Sequence, residues 1–89
     1  MNVEIYTKNW CGYCRMAMTL LDQHGIEYTN IDVTSDAEKE QEMMQRSGRT
    51  TVPQIFFDDE SIGGFTELAN LSAKTDLREM VSGSKSDDN

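Results

Sequence analysis

The sequence predicts one α/β domain, with helices flanking a four-stranded mixed β-sheet in the order β-α-β-α-β-β-α. Three observations support this. Apolar residues alternate over 3–6, the segment 26–33 is also strand-like, and a helical apolar stripe lies between them. Farther on, the short turn DDE joins two more strand-like segments, QIFF at 54–57 and SIGG at 61–64. A chain of 89 residues is long enough for one such domain.

The first helix is predicted over residues 12–24, followed by Gly25 at a suitable C-terminal position. Four residues recur at the spacing of one buried helix face: Cys14, Ala17, Met18 and Leu21. A helical crossover between the strands at 3–6 and 26–33 makes those strands parallel neighbours with a right-handed connection.

A second helix is predicted from about 36 to 47, since SDAE at 35–38 has the S-x-x-E form of a capping box and Gly48 can end the helix. A short helix at 66–72 and a helical stretch at 76–81, with Asp76 as N-cap, complete a domain over 1–81. Residues 82–89, SGSKSDDN, are predicted to form a flexible C-terminal tail.

Composition narrows the classes of function. A formal net charge of −8 argues against nucleic acid as a partner, because phosphate binding requires a basic surface. No apolar run approaches the roughly 20 residues that span a bilayer, and the N-terminus lacks the pattern of a secretion signal. We therefore predict a cytoplasmic protein with no membrane partner.

Both cysteines lie in the segment TKNWCGYCRMA, two residues apart. Structural zinc needs four ligands, and His24 lies too far along the same helix to complete a site with Cys11 and Cys14. A disulfide closing so short a loop would add little stability. A C-x-x-C beside a β-α-β pattern instead favours redox chemistry. Cys11, at the helix N-terminus, is the predicted nucleophile, and Cys14, on the apolar stripe, is the predicted resolving cysteine.

Two further segments point to a ligand beside the cysteines. Pro53 opens the strand QIFF, and the backbone before it offers an edge for an extended peptide-like ligand. The glycines of IGGFTEL lead into a helix, whose N-terminus can bind a carboxylate. Basic residues lie in the same regions of an otherwise acidic chain, which favours a small anion: Lys8, Arg15, Arg46 and Arg49.

These segments together resemble the glutaredoxins, in particular the bacterial dithiol glutaredoxins. The resemblance covers residues 1 to about 81 and rests on YTKxxCxYC, RSGRTTVPQIF and GGxxxL. It implies a thioredoxin fold in which Pro53 follows a cis peptide bond. The implied activity is glutathione-dependent thiol–disulfide exchange, acting on protein disulfides and glutathionylated proteins. The resemblance also implies a monomer and a role as electron donor to reductases, including ribonucleotide reductase.

The resemblance also assigns a glutathione site. Lys8 and Arg49 would lie near the glycine carboxylate, and Tyr13 beside the thiol. The backbone of Val52, between Thr51 and Pro53, would pair with the tripeptide. The γ-glutamyl end would contact Gly64, Phe65 and Thr66.

Two positions depart from the family pattern. Gly12 replaces the proline of C-P-Y-C, and some dithiol glutaredoxins without that proline hold a [2Fe–2S] cluster between two protomers through the nucleophilic cysteine, here Cys11, and bound glutathione. Thr66 replaces an aspartate that usually contacts the glutathione amine, so we expect altered affinity. WCGYC also leans toward thioredoxin. Two alternatives therefore remain: a cluster-binding dimer, acting as carrier or sensor, and a redoxin supplied by thioredoxin reductase.

Overall fold

The computed structural model describes residues 1–86, and their side chains as far as Ser82. Its strands and helices, in chain order, are β1 (Val3–Thr7), α1 (Gly12–Gln23), β2 (Thr29–Asp32), α2 (Ala37–Ser47), β3 (Gln54–Phe57), β4 (Glu60–Gly63), α3 (Phe65–Lys74) and α4 (Leu77–Ser86). None of these helices is long and apolar enough to cross a membrane.

The strands form one mixed sheet in the order β2-β1-β3-β4. β1 and β2 are parallel, with Tyr6 opposite Ile31, whereas β1–β3 and β3–β4 are antiparallel. This arrangement confirms the predicted four-stranded mixed sheet, and it places the loop after β1 beside the loop that enters β3. Both loops carry predicted site residues.

The second strand is shorter than the predicted span of 26–33. The N–H of Ile26 donates to the carbonyl of Leu21 at 3.0 Å, so Ile26 belongs to the turn that ends α1. Its side chain is buried in the core, which explains why the apolar pattern resembled a strand. Apolar spacing alone does not separate a buried turn from a strand.

The N-cap of α2 is Asp36, not Ser35 as the capping-box pattern predicted. The Asp36 carboxylate accepts a hydrogen bond from the N–H of Lys39 at 3.1 Å. A carboxylate also interacts favourably with the positive end of the helix dipole, which a serine hydroxyl does less well. The predicted end at Gly48 is confirmed, since this glycine adopts φ 72°.

Asp76 caps α4 as predicted, since its carboxylate accepts the N–H of Glu79 at 3.2 Å. The helix then continues to Ser86, so the predicted domain boundary at residue 81 falls within α4. The flexibility assigned to residues 82–89 stays a prediction, and residues 87–89 lie outside the described part of the chain.

Two apolar layers cover the sheet. The larger lies against α1, α3 and α4, and its buried residues include Ile5, Leu21, Leu68 and Leu77. The smaller lies against α2 and comprises Tyr6, Val33, Met43 and Phe56. Alternate residues of β3 enter opposite layers, so the central strand is buried on both faces. This rigid centre holds the loops at one end of the sheet.

Candidate active site

Cys11 is the N-cap of α1, in extended conformation with φ −92° and ψ 112°. Its sulfur accepts a hydrogen bond from the backbone N–H of Cys14 at 3.2 Å. The remaining unpaired N–H groups of the first turn and the helix dipole favour negative charge at this point. The side chain is partly exposed, so a substrate can reach the sulfur.

Cys14 is fully buried, on the face of α1 that packs into the core. Burial raises the pKa of its thiol to about 12, with a further contribution from the hydrogen bond to Cys11. The two cysteines therefore differ in chemistry: at neutral pH Cys14 is a protonated thiol beneath the accessible Cys11. Both are free in this structure.

The loop between α2 and β3 faces Cys11. The Val52–Pro53 peptide bond is cis, the state implied by the family resemblance. The thiol of Cys11 lies 3.7 Å from the carbonyl oxygen of Val52, to which it can donate. The loop is held from below by Gln54, a buried side chain whose Nε2 donates to the carbonyl of Thr51 at 3.0 Å and to its hydroxyl at 3.3 Å.

The N-terminus of α3 forms the opposite wall. The N–H of Gly64 donates to Glu67 Oε1 at 2.8 Å, and the same oxygen lies 3.4 Å from Arg49 Nη1. The hydrogen bond from the Gly64 N–H holds the pKa of Glu67 below its ordinary value. The backbone N–H of Glu67 itself and the Arg49 guanidinium lower this pKa further. A Cβ at Gly64 would lie 3.3 Å from the Pro53 carbonyl oxygen, so glycine allows the two walls to approach closely.

Between these walls lies an open cleft of about 190 Å³. The rings of Tyr13 and Phe65 flank it, with centroids 6.1 Å apart. The structure brings every predicted glutathione-binding residue except Lys8 to this cleft, whose lining comprises Tyr13, Arg49, Thr51, Val52, Pro53, Gly64, Phe65, Thr66 and Glu67.

Lys8 does not line this cleft. Its ammonium lies 2.8 Å from the Glu40 carboxylate on α2, and 5.8 Å from the centre of the Trp10 ring. Lys8 remains next to Cys11 through its backbone, because its carbonyl accepts the N–H of Cys11 at 3.3 Å. The Lys8 side chain, however, extends to α2, where it pairs with Glu40. No pattern in the sequence indicated this pairing.

Sequence reasoning missed two residues of the site. Glu67 lies three residues after the N-cap Gly64. In a capping box the side chain at this position accepts a hydrogen bond from the N-cap N–H, so this spacing could have identified Glu67. Gln54 had no comparable signal, since a polar residue opening a strand is ordinarily exposed. Its role follows from burial of β3 on both faces, with only 1% of Gln54 exposed.

The site has no metal-ligating cluster of its own. Within residues 1–86, no three cysteine, histidine, aspartate or glutamate side chains are grouped so that they could hold a metal ion. An accessible cysteine at the N-cap of α1, with a buried cysteine one turn later beside a four-stranded mixed sheet, defines a redox protein of the thioredoxin fold.

Comparisons with known proteins identify the family, within this class of redox proteins, to which the chain belongs. The glutaredoxin family model matches residues 3–62. Glutaredoxin 3 of Escherichia coli strain K12 is 49% identical over 76 residues, covering 85% of this chain and 92% of that protein. The chain belongs to the glutaredoxin family, whose members are thiol oxidoreductases.

Solved structures of glutaredoxins are also similar to this chain. The solution structure of glutaredoxin from Brucella melitensis has 38% identity and a TM-score of 0.78, with 91% of this chain and 88% of that one covered. A crystal structure of a buckwheat glutaredoxin–glutathione complex has 26% identity and a TM-score of 0.81, with 91% and 76% covered. The similarity therefore extends over nearly the whole described domain.

Proposed function

We propose that this glutaredoxin is a glutathione-dependent oxidoreductase that reduces glutathione mixed disulfides and protein disulfides. The observation that supports this most strongly is the cleft beside Cys11, which combines a backbone edge at Val52, a cation at Arg49 and a helix N-terminus at Gly64. A tripeptide with two carboxylates and an extended backbone matches those three features. The buckwheat relative was crystallised with glutathione.

In the proposed reaction the Cys11 thiolate attacks the glutathione sulfur of a mixed disulfide. A new S–S bond forms between Cys11 and glutathione, the protein–glutathione bond breaks, and the departing protein thiolate takes up a proton. The thiolate of a second glutathione then attacks the glutathione sulfur bound to Cys11, releasing oxidised glutathione and regenerating the Cys11 thiolate. The net reaction converts the mixed disulfide and one free glutathione into the protein thiol and oxidised glutathione.

Reduction of a protein disulfide would use both cysteines. Cys11 attacks one sulfur of the substrate and the other sulfur leaves as a thiol. Cys14 then attacks the Cys11 sulfur, which releases the second substrate thiol and forms a Cys11–Cys14 disulfide. Two glutathione molecules reduce that disulfide and leave as oxidised glutathione. Once Cys11 is part of a mixed disulfide, its sulfur carries no negative charge, so two of the causes that raise the Cys14 pKa are removed. Burial, the largest cause of the raised Cys14 pKa, is unchanged in that intermediate, so the pKa is lowered only in part.

Substrate contacts around the thiol would come from an exposed apolar rim. Trp10, Tyr13 and Met16 expose 67, 62 and 48% of their surfaces, which suits transient contact with a polypeptide substrate. The proposal also includes three expectations. The family resemblance implies a monomer and ribonucleotide reductase as a target, and the sequence predicts a cytoplasmic location.

The proposed glutathione site is tested by Arg49→Gln. Loss of a charge-assisted hydrogen bond should raise KM for glutathione about tenfold, with kcat less affected. Lys74→Gln, which removes an equal charge at the exposed far end of α3, is the matched control and should leave KM unchanged. Equal KM values in the two variants would remove Arg49 from the site.

A [2Fe–2S] dimer is the second function considered, because Gly12 replaces the proline of C-P-Y-C, and the space that a Cβ would occupy there is free of contacts within 4 Å. One chain would offer one ligand, Cys11, since Cys14 is buried; two protomers and two glutathiones would complete the set. When bound, such a cluster supplies one-electron chemistry or is itself transferred. Visible absorbance and a dimer on anaerobic purification with glutathione would support it, and a colourless monomer would count against it.

A further inference from the structure

Each cation of the sequence-predicted glutathione site already holds a carboxylate of the chain itself. Arg49 is 3.4 Å from Glu67, which lies within the cleft. Lys8 is 2.8 Å from Glu40, which lies outside the cleft on α2. The two ion pairs affect the cleft differently. Glu67 adds its own negative charge to the cleft, whereas Glu40 holds the positive charge of Lys8 away from the cleft.

The Lys8–Glu40 pair is anchored at both ends. Lys8 directly follows β1, and its carbonyl accepts the N–H of the nucleophile Cys11 at 3.3 Å. Glu40 lies in the first turns of α2, where its N–H donates to the Asp36 carbonyl at 3.0 Å. The side chains of both residues are only about a quarter exposed, at 24 and 29%, so the interaction is less screened than an ordinary surface ion pair.

Without its pairing to Glu40, the Lys8 ammonium can lie next to the Cys11 sulfur. Lysine carries its charge on a flexible four-carbon stem, and the Lys8 backbone is one hydrogen bond from Cys11. An ammonium released from Glu40 would be attracted to the nearest negative charges, which in the working enzyme are the Cys11 thiolate and the carboxylates of glutathione. In a chain of net charge −8, one further cation at the site would have a measurable effect on an anionic substrate.

We propose that Glu40 is a positioning residue that sets the affinity for glutathione by holding the Lys8 ammonium on α2, in competition with the substrate's carboxylate. The inference rests on the proposed glutathione-dependent function. In this proposal a residue of α2, which lies outside the cleft, controls the positive charge that is available to bind the substrate.

The test is the KM for glutathione of Glu40→Gln, measured at low ionic strength with a glutathionylated peptide as second substrate. KM should fall by about two- to fivefold, with kcat unchanged, because a released ammonium favours the bound anion. The difference should shrink in 1 M salt, where the Debye length is about 3 Å. Glu40→Asp, which retains the charge, should stay close to wild type.

Two controls separate the pairing from net charge. Glu38→Gln makes the same charge change at an exposed position of α2 and should leave KM unchanged. In a Lys8→Gln background, Glu40→Gln should have little further effect, because the residue through which it acts is gone. An unchanged KM in Glu40→Gln, an equal fall in Glu38→Gln, or a fall that persists without Lys8 would each overturn the proposal.

The result also distinguishes this inference from the function on which it rests. Normal wild-type turnover with glutathione and an unaltered KM in Glu40→Gln would remove the role of Glu40 and leave the proposed function standing. A wild-type protein with no glutathione-dependent turnover would contradict both.

Discussion

The backbone N–H of Cys14 donates to the sulfur of Cys11 at 3.2 Å, while the Cys14 thiol itself is buried beneath it. Cys14 thus contacts its neighbour through two groups: its amide donates to the Cys11 sulfur, and in the proposed mechanism its thiol resolves the mixed disulfide formed there. The C-x-x-C spacing on a helix N-terminus makes both possible.

This division of roles predicts different losses for the two serine variants. Cys11→Ser should abolish turnover of every disulfide substrate, because no other described thiol is accessible. Cys14→Ser should retain reduction of glutathione mixed disulfides, since its backbone N–H still supports Cys11, but should lose at least about tenfold in reduction of protein disulfides. Steady-state rates with a glutathionylated peptide and a disulfide-bonded protein would check this. Full activity of Cys11→Ser on either substrate would contradict the mechanism.

The raised pKa of Cys14 predicts how the free thiols react with iodoacetamide. A thiol whose pKa is raised to about 12 stays protonated, and therefore slow to react, throughout neutral and mildly alkaline pH. Mass spectrometry of the reduced protein at pH 7–9 should show alkylation at Cys11 and not at Cys14. In Cys11→Ser, Cys14 should stay protected because burial, the largest cause of the shift, is unchanged. Rapid labelling of Cys14 in the folded variant would show that it is not held as described.

Gln54 is predicted to position the Thr51–Val52 loop from beneath. Gln54→Met keeps the volume of the side chain but removes both hydrogen bonds to Thr51, so the backbone edge at Thr51–Val52 should be less fixed. The expected result is a KM for glutathione about two- to fivefold higher. Stability should change by less than about 1 kcal/mol, because Thr51 is exposed and can bond to water.

Gln41→Met, at an exposed position of α2, is the matched control for Gln54→Met. Denaturant unfolding would establish that both variants fold. An unchanged KM in a folded Gln54→Met protein would show that the loop does not need this support.

Glu67 should make a pH-dependent contribution to stability. Its folded-state pKa lies below the ordinary value of 4.5, so the contribution is present above that value and is lost as pH falls through the folded pKa. Glu67→Gln should therefore be less stable than wild type at pH 7, and the difference should narrow below about pH 4.5. Because the carboxylate is about half exposed, the expected difference at pH 7 is under about 1 kcal/mol.

Urea unfolding of wild type and Glu67→Gln across pH would measure the contribution of Glu67. Glu79→Gln, in the first turn of α4, provides a comparison for the general effect of removing an acid. A stability difference that widened with acidification would reverse the assigned sign.

Most of the fold was predictable because its signals are local. The stripe from Cys14 to Leu21 defined α1, Gly48 ended α2, and the strand QIFF matched β3 (Gln54–Phe57). The errors arose where a local pattern fits two different structures. Ile26 has the pattern of a strand but closes the turn after α1, and Asp36 rather than Ser35 caps α2.

The site was predictable to the extent that family motifs carry it. The cleft contains the residues expected from the TTVP and GGF segments. The pairing of Lys8 with Glu40 and the burial of Gln54 depend on contacts between distant parts of the chain, which no local pattern records.

The central claim is tested most directly by turnover of a glutathionylated peptide with two alternative electron sources. One source is glutathione with glutathione reductase and NADPH, and the other is thioredoxin reductase with NADPH. We predict activity with the first, dependent on Cys11 and weakened by Arg49→Gln. Activity only with thioredoxin reductase would show that the cleft beside Cys11 is not a glutathione site, and would contradict the proposed function.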